Sequence, residues 1–316
     1  MIEKPDANIL MAGPLGEWLA GQNASRSEAK VKAQRYTFYG ILGAVFLGTF
    51  VFVFSHSALA TAVSAGIAFA IGAGLAQVAR KTVTDRIKSE MNAAIAKALG
   101  LEFSARVTPG KTFERAKAFD LVPSYDDSHF EDLWWGVLGT RPFTLHEAKL
   151  TEEHGSGDNK RTVTVFAGSI MTVGFNRNFI GTTLIERKSN HRGFFGGLKQ
   201  EIKLNGIALK LVDMVDPRFE EAFAVWSDDG VEARYLVHPD YAERLTAIEQ
   251  AYSGENIRAL FSEGELLIVL ESGDLFESGS LNAEDDRAML ERTIGQFSSL
   301  AELGTKLNER PRTGFN

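Results

Sequence analysis

The stretch YTFYGILGAVFLGTFVFVF (Tyr36–Phe54) carries no charged residue, and ALATAVSAGIAFAIGAGLAQVA (Ala58–Ala79) follows it after only three residues. A helix that crosses the hydrocarbon core of a bilayer needs about 20 predominantly apolar residues. Both stretches are about this long, and neither shows the polar stripe of a helix on the surface of a soluble protein. The sequence therefore predicts a hairpin of two transmembrane helices, 36–54 and 58–79.

Basic residues flank the outer ends of both predicted spans, whereas the connection between the spans has none. They are Arg26, Lys30, Lys32 and Arg35 before the first span, and Arg80, Lys81, Arg86 and Lys88 after the second. Because Lys and Arg near span ends stay in the cytoplasm, we expect a multi-pass membrane protein with both termini cytoplasmic. The absence of cysteine agrees with this location, since a secreted domain would have no disulfide framework.

Two other interpretations of the apolar stretches are weaker. Ala58-Leu59-Ala60 resembles a signal-peptidase site, but the core of a signal peptide has only about 7–15 residues and no second span follows it. The other is a helical hairpin buried in a soluble protein, and the uninterrupted apolar character of both stretches on all faces argues against it. We therefore predict neither cleavage nor a soluble hairpin.

Small residues recur at every fourth position along the second span and form one face of that helix. The face consists of Ala58, Ala62, Gly66, Ala70 and Gly74. Such faces let helix backbones approach closely in lipid. Its expected partner is the first span, in which Gly40, Ala44 and Gly48 have the same spacing, and homo-oligomerisation stays open. Neither span contains a charged residue, which favours an anchor over an ion or proton pathway.

Beyond the spans, the composition indicates an acidic domain attached through a helical segment. We divide the chain into an N-terminal cytoplasmic segment, two spans, a helical stalk and a cytoplasmic α+β domain, at 1–35, 36–54, 58–79, 80–119 and 120–316. Residues 1–99 hold 10 Lys and Arg against 6 Asp and Glu, and residues 100–316 hold 24 against 35. This acidic balance argues against nucleic acid as a partner.

Alternating apolar and polar residues predict a mostly antiparallel sheet with flanking helices after residue 120. The predicted strands are Pro142–Thr151, Arg161–Val173, Gly181–Lys188, Gln200–Val212 with a bulge at Gly206, Ile257–Ser262 and Glu265–Glu271. Helical segments are predicted at 112–119, 238–252 and 283–303, while 219–226 fits either a strand or a helix. The expected fold class is α+β, with about six strands.

Four segments between residues 130 and 277 form a recognisable pattern. They read FEDLWWGVLGTRPFTLHEAKL (Phe130–Leu150), VFAGSIMTVGFNRNFIGTT (Val165–Thr183), DPRFEEAFAVWSDDGVEARYLVHPDYAERL (Asp216–Leu245) and GELLIVLESGDLFE (Gly264–Glu277). The pattern resembles an uncharacterised bacterial membrane-protein family, domain of unknown function 3137. The resemblance implies a protein of the bacterial inner membrane with an N-terminal pair of spans before a cytoplasmic-type domain, and it supplies no catalytic residues. Trp134-Trp135 departs from the more polar pair expected there.

No motif in the chain predicts a catalytic or metal site. Val107–Thr112 (VTPGKT) ends like a phosphate-binding loop, but Ala105 stands in place of the first glycine and Pro109 removes a backbone amide. The histidines lack the spacing of metal ligands, and cysteine is absent. We interpret Asp126–Ser128 as the start of a helix, where carboxylates are favourable. We therefore assign no catalytic residue, no metal and no cofactor, and an enzyme is the less favoured class.

A basic loop with two phenylalanines is the predicted binding segment. It reads RKSNHRGFFGGLK (Arg187–Lys199), and its candidate residues are Arg187, Lys188, Arg192, Phe194, Phe195 and Lys199. The phenylalanines either pack in the core of the domain, insert into the inner leaflet beside basic residues that meet headgroups, or dock onto a protein. All three interpretations stay open.

Together these features predict a membrane-anchored cytoplasmic module that binds, scaffolds or regulates without catalysis. Its expected partners are membrane lipids, a protein and a second copy of the chain. One alternative is a membrane-bound enzyme acting on a phosphate-containing or lipid substrate. Convergence of Asp126, His129 and Glu131 with His146 or His238 would favour that enzyme. A second alternative is a structural subunit of a larger membrane complex.

Overall fold

The structure is a computed structural model that describes residues 4–138, 140–155, 157–175, 179–189, 198–214, 216–237, 241–251, 254–273 and 275–308. The chain divides into two compact units. The helical unit consists of Pro5–Ala94 and Glu277–Arg292, and the sheet unit consists mainly of Ile95–Phe276 and the chain from Thr293. The expected α+β class is confirmed, since two long apolar helices precede an antiparallel sheet with flanking helices.

Four helices precede the sheet, and the two longest carry the apolar stretches. Their bounds are α1 Ala7–Ala12, α2 Pro14–Gly21, α3 Asn23–Ser55 and α4 Ala58–Ala98. The Asp6 carboxylate accepts a hydrogen bond from the Asn8 N–H at 2.7 Å and caps the start of α1. The helix α3 ends at Ser55, and the left-handed backbone of the C-cap residue His56 (φ 50°) lets the chain reverse before α4 begins.

Both α3 and α4 are long and apolar enough to cross a membrane. Among the described residues, nineteen of the twenty-five large apolar side chains that are exposed lie between Tyr36 and Val78. Phe46 and Phe54, for example, are 69% and 73% exposed. Soluble proteins rarely present a continuous apolar surface of this extent. The apolar side chains of these helices therefore point mainly outward.

Ten described strands and five further helices follow, and the last of these helices begins in the helical unit and continues into the sheet unit. The strands are β1 Leu101–Arg106, β2 Asp127–Leu138, β3 Arg141–His154, β4 Arg161–Gly174, β5 Thr183–Arg187, β6 Glu201–Leu204, β7 Ile207–Val212, β8 Phe223–Ser227, β9 Glu255–Ser262 and β10 Glu265–Glu271. The helices are α5 Lys111–Ala118, α6 Pro217–Ala222, α7 Gly230–Leu236, α8 Tyr241–Ala251 and α9 Asp286–Asn308. All neighbouring strands are antiparallel, in the order β1-β2-β3-β4-β10-β9-β5-β8-β7-β6.

The core of the sheet unit has a cluster on each face of the sheet. On the face covered by α5, the buried cluster includes Phe113, Phe119, Leu121, Phe166 and Trp226. On the opposite face, an aromatic cluster is formed by Trp134, Phe143, Phe276 and Phe297. The strand β10 is buried on both faces from Leu266 to Leu270. This burial explains why its sequence is an unbroken apolar run instead of an alternation.

Residues 127–138 form a strand, so the helix predicted to start at Asp126–Ser128 is wrong. The strand β2 pairs with β3 along its length, but the register shifts between Glu131 and Trp134. Asp132 lies at this bulge with a φ of 55°. Because a β-bulge interrupts the two-residue alternation of a strand, the usual strand pattern is not visible in this sequence.

Two other segments differ from the sequence-based expectation. The predicted stalk 80–119 is helical at 80–98 and 111–118, but Leu101–Arg106 forms β1 and pairs with β2. The predicted single strand 200–212 is a hairpin, in which Asn205 and Gly206 (φ 47° and 78°) connect β6 to β7. An Asn-Gly pair suits a two-residue turn that needs positive φ, so Gly206 marks a turn and not a bulge.

The remaining predicted elements agree with the structure. The hairpins at 142–173 and 257–271 are confirmed as β3–β4 and β9–β10. The ambiguous segment 219–226 contains the end of α6 and most of β8. The helix predicted from His238 is described as α8, from Tyr241. The sequence does not predict α7, a seven-residue helix whose first N–H groups are capped by Asp229.

Candidate functional site

The long helices α3 and α4 pack closely where two glycines meet. A Cβ atom added to Gly40 would lie 2.9 Å from the Cα atom of Gly72. One added to Gly48 would lie 3.3 Å from the Cβ atom of Ala65. Glycine is therefore required at this crossing, because a larger side chain would push the two backbones apart.

The small-residue face predicted to pack against the first span is not the one that does so. Ala62, Gly66, Ala70 and Gly74 are all exposed, and nothing lies within 4 Å of a Cβ atom added to Gly66 or Gly74. The contact uses the face of α4 that carries Ala65, Ala68 and Gly72. Small residues recur at helical spacing on both faces, so spacing alone does not identify the one that packs.

Replacing Gly72 by alanine should weaken the packing of α3 on α4. The added methyl group would overlap the backbone of Gly40, and we expect a loss of about 1–3 kcal/mol in the free energy of unfolding. Gly74→Ala is the matched control in the same helix, since it adds the same group where nothing lies within 4 Å. Thermal unfolding in mild detergent, followed by circular dichroism, measures both variants. Equal melting temperatures for the two would contradict this packing.

A cleft of about 430 Å³ opens between α3 and α4. One end is apolar and is lined by Tyr36, Leu75 and Val78. The other end is polar and includes Glu28, Lys32 and Arg86. The residues that line the cleft lie three or four positions apart along each helix, or next to such positions. They therefore belong to one face of each helix. The cleft thus changes from apolar to charged along the helix axes.

The charged end of the cleft contains two cations and one carboxylate. Glu28 Oε1 lies 2.8 Å from Lys32 Nζ. The hydrogen bond and charge of this pair lower the pKa of Glu28 and raise the pKa of Lys32, so both are ionised at neutral pH. The Arg86 guanidinium lies 5.7 Å from the centre of the Trp18 ring, and no carboxylate of the described residues forms an ion pair with it. The charged end is therefore net positive.

The chain at Glu277–Asp286 binds both long helices within the helical unit. Lys88 of α4 forms an ion pair with Glu277. The Ser278 hydroxyl donates a hydrogen bond to Asn92 Oδ1 at 3.0 Å. On α3, Lys30 Nζ donates to Asn282 Oδ1 at 2.8 Å. This segment therefore ties the charged ends of α3 and α4 to each other.

A buried ion pair completes this connection. Arg26 Nη2 of α3 donates to both carboxylate oxygens of Asp286, at 2.7 and 2.9 Å. Each of the two side chains is only 3% exposed. Burial raises the pKa of Asp286, whereas the hydrogen bonds and charge of Arg26 act in the opposite direction. Arg26 therefore offsets part of the effect that burial has on the pKa of Asp286.

The predicted basic loop is described only at its ends, because Arg192, Phe194 and Phe195 lie outside the described residues. Arg187 forms an ion pair with the buried carboxylate of Glu249. Its guanidinium carbon also lies 4.4 Å from the centre of the Phe223 ring. Arg187 thus has a structural role in the sheet unit. The Glu249 carboxylate balances its charge, so no lipid headgroup is needed to do so.

The other two described candidates of this loop differ from each other. Lys188 Nζ donates a hydrogen bond to the Glu220 carbonyl oxygen at 2.8 Å. The side chain of Lys199 is exposed, while its carbonyl oxygen accepts a hydrogen bond from Trp226 Nε1 at 3.0 Å. Both lysines are exposed, but the ammonium group of Lys188 is bonded within the sheet unit.

The residues expected to converge in an enzyme do not do so in the described part of the chain. His146 is on the sheet face covered by α5, since it lies opposite Ile170 of that core cluster. His129 lies opposite Lys149 in β3, and its side chain is therefore on the other face. The hollow beside His129 measures about 10 Å³, which is room for about one water molecule. His238 lies outside the described residues.

His146 is enclosed in the apolar core. Its side chain is 3% exposed, and the centre of its ring lies 6.0 Å from that of Phe130. Burial lowers the pKa of His146 to about 4. The imidazole is therefore neutral at physiological pH and serves as a packing residue.

The sheet unit should lose stability as the pH falls from about 6.5 to 4. An unfolded histidine has a pKa near 6.5, so over this range the unfolded chain takes up a proton that the folded chain excludes. The free energy of unfolding should be independent of this group above pH 6.5 and decrease by up to about 3 kcal/mol by pH 4. Urea unfolding of wild type and His146→Leu measures the difference. The same pH dependence in both would contradict it, and the exposed His129→Gln is the control.

Comparison with known proteins confirms the family resemblance over part of the chain. Residues 164–309 match a family described as "Protein of unknown function (DUF3137)". The first of the four resembling segments, Phe130–Leu150, lies before this match. Among solved structures, the mycobacterial trehalose monomycolate transport factor A, TtfA, is similar over 72% of this chain and 99% of its own, with 11% identity and a TM-score of 0.37. No curated protein matches the sequence.

Proposed function

We propose that this protein is a bacterial inner-membrane anchor that presents a non-catalytic binding module to the cytoplasm. The observation that carries the proposal is the outward-facing apolar surface between Tyr36 and Val78. Two adjacent helices with such a surface suit a bilayer, because lipid replaces the core that a soluble helix would need. The basic residues that flank both helices support cytoplasmic termini.

The proposed binding role rests on the character of the sheet unit. His146, a natural candidate for acid–base chemistry, is enclosed in apolar side chains and neutral. Lys199, at the end of the predicted binding loop, presents an exposed side chain to a partner. The proposed partners are membrane lipids and a protein that docks onto this unit. Homo-oligomerisation is a further part of the proposal, since the exposed face of α4 with Gly66 and Gly74 is free of α3.

Introduced cysteines can test the topology directly, because the chain has none. Ser55→Cys reports on the turn between the long helices, while Ala12→Cys and Lys203→Cys report on the N-terminal segment and the sheet unit. All three positions are exposed. A membrane-impermeant maleimide added to intact spheroplasts should label only Ser55→Cys. Inverted membrane vesicles should show the reverse pattern.

Membrane extraction provides the accompanying control. The protein should remain in the membrane fraction after washing at high salt and at alkaline pH, because its attachment is apolar. Release under these conditions, or labelling of Lys203→Cys in spheroplasts, would overturn the proposed topology. Co-purification from mild detergent then tests the binding role, and a protein captured in a fixed ratio supports it.

A further inference from the structure

The cleft between α3 and α4 crosses the boundary between the predicted spans and their basic flanks. Tyr36 is the first residue of one span, and Lys32 precedes it by one helical turn, about 6 Å along the axis. Ala79 ends the other span, and Arg86 follows it by about 10 Å. The headgroup layer on each side of a bilayer is about 5–7 Å thick. Lys32 would therefore lie at headgroup depth and the apolar end of the cleft at the depth of the acyl chains. The backbone of Arg86 would lie a few Å beyond the headgroup layer, and its long side chain, which tilts towards the N-terminus of α4 and so towards the bilayer, reaches back to that layer.

We propose that this cleft binds one anionic phospholipid. The phosphate of the lipid contacts Lys32 and Arg86, and the first part of one acyl chain lies along Leu75 and Val78. The inference rests on the proposed membrane anchoring and adds the class of ligand. The change from charged to apolar lining along the cleft corresponds to the change from headgroup to chain in such a lipid.

The charges of the cleft are suited to a phosphate. Lys32 has three N–H donors, so it can contact a phosphate oxygen while it remains bonded to Glu28. Arg86 has five donors and no carboxylate partner among the described residues, and its planar group suits the oxygens of a phosphate. Because two cations face one carboxylate, an anionic headgroup is favoured over a zwitterionic one.

The size of the cleft is also appropriate. Its volume of about 430 Å³ falls within the range of about 300–1,000 Å³ that is typical of small-molecule sites. A headgroup with the first part of one chain would fit, while the rest of the lipid would remain in the bilayer. Ala29 and Ala79 keep the space open, since both line it with small side chains.

The test compares two double variants of the full-length protein in mild detergent. Lys32→Gln with Arg86→Gln removes both proposed phosphate contacts. Arg35→Gln with Lys81→Gln is the matched control, because it also removes one exposed cation from each helix but neither residue lines the cleft. Delipidated protein is titrated with phosphatidylglycerol, phosphatidylethanolamine or inorganic phosphate. Thermal shift and native mass spectrometry measure binding.

Wild type and the control should bind one phosphatidylglycerol per chain. The affinity of the cleft variant for this lipid should be lower by a factor of at least about ten. Equal binding by the two double variants would overturn the inference, and so would equal stabilisation by phosphatidylethanolamine. A free-anion site would instead give the same shift with inorganic phosphate, which would also overturn it. Fractionation of every variant with membranes separates these results from a failure of the proposed anchoring, which would release wild type as well.

Discussion

Replacing Arg26 by methionine should lower the free energy of unfolding of the helical unit by about 3–5 kcal/mol, the usual cost of breaking one half of a buried ion pair. The change leaves the Asp286 carboxylate at 3% exposure without its cation. Burial then raises the pKa of Asp286 without the opposing effect of Arg26. Melting of the full-length protein in mild detergent at pH 8 and pH 5 measures the loss, which should be larger at pH 8, where the unpaired carboxyl is more costly to leave ionised.

Two further variants separate the ion pair from a general effect of lost charge. Arg26→Met combined with Asp286→Leu removes both charges and should recover most of the stability, because no unpaired buried charge remains. Lys81→Met breaks the exposed pair with Asp85, whose side chains are 67% and 50% exposed, and should cost less than about 1 kcal/mol. If Arg26→Met melted like Lys81→Met, the pair would not be buried in the protein.

Replacing Trp134 by alanine should destabilise the sheet unit by about 3–5 kcal/mol, as expected for removal of a fully buried aromatic side chain. The centre of its ring lies 4.6 Å from that of Phe297, 5.4 Å from Phe276 and 5.0 Å from Phe103. The alanine would leave a cavity between the sheet and α9 that these side chains cannot fill. Chemical unfolding followed by circular dichroism in the presence of detergent measures the change.

The adjacent tryptophan is the matched control for this variant. Trp135 is only half-buried and points to the opposite face of β2, so Trp135→Ala should cost clearly less than Trp134→Ala. Trp134→Phe should recover part of the loss, because it retains an aromatic ring in the cluster. Similar losses at positions 134 and 135 would show that the strand register differs from the one described.

The elements that could be predicted are those in which one physical signal dominates. Length and apolar character alone define α3 and α4, and apolar runs bounded by Gly-containing turns define the hairpins β3–β4 and β9–β10. By contrast, the acidic residues at the start of β2 suit a helix cap, so the sequence predicts a helix there. The bulge at Asp132 also interrupts the alternation of apolar and polar residues that would indicate a strand. The six-residue β1 is too short for a pattern to be distinctive.

The cleft could not be predicted because it depends on the rotation of α4 about its own axis. Two faces of α4 carry small residues at helical spacing, and the four-residue repeat predicts the face with Gly66 and Gly74 as the packing face. The structure turns Gly72 towards Gly40 instead. The rotation of α4 decides which basic side chains line the cleft. In the sequence, Lys32 and Arg86 are only two of eight basic residues that flank the predicted spans. Contacts between distant parts of the chain, such as Arg26 with Asp286, leave no local signal.

The pairing of Arg26 with Asp286 also sets an order of events during synthesis. The two residues are separated by 260 positions, and at roughly 5–20 residues per second a ribosome needs on the order of 10–50 s to make the intervening chain. Once residue 98 has been made, α3 and α4 are complete, while the segment Glu277–Asp286 that ties them together has not yet been translated. The hairpin of α3 and α4 therefore reaches its final packing only after the whole sheet has left the ribosome. A chain released before residue 286 keeps Arg26 without its carboxylate partner.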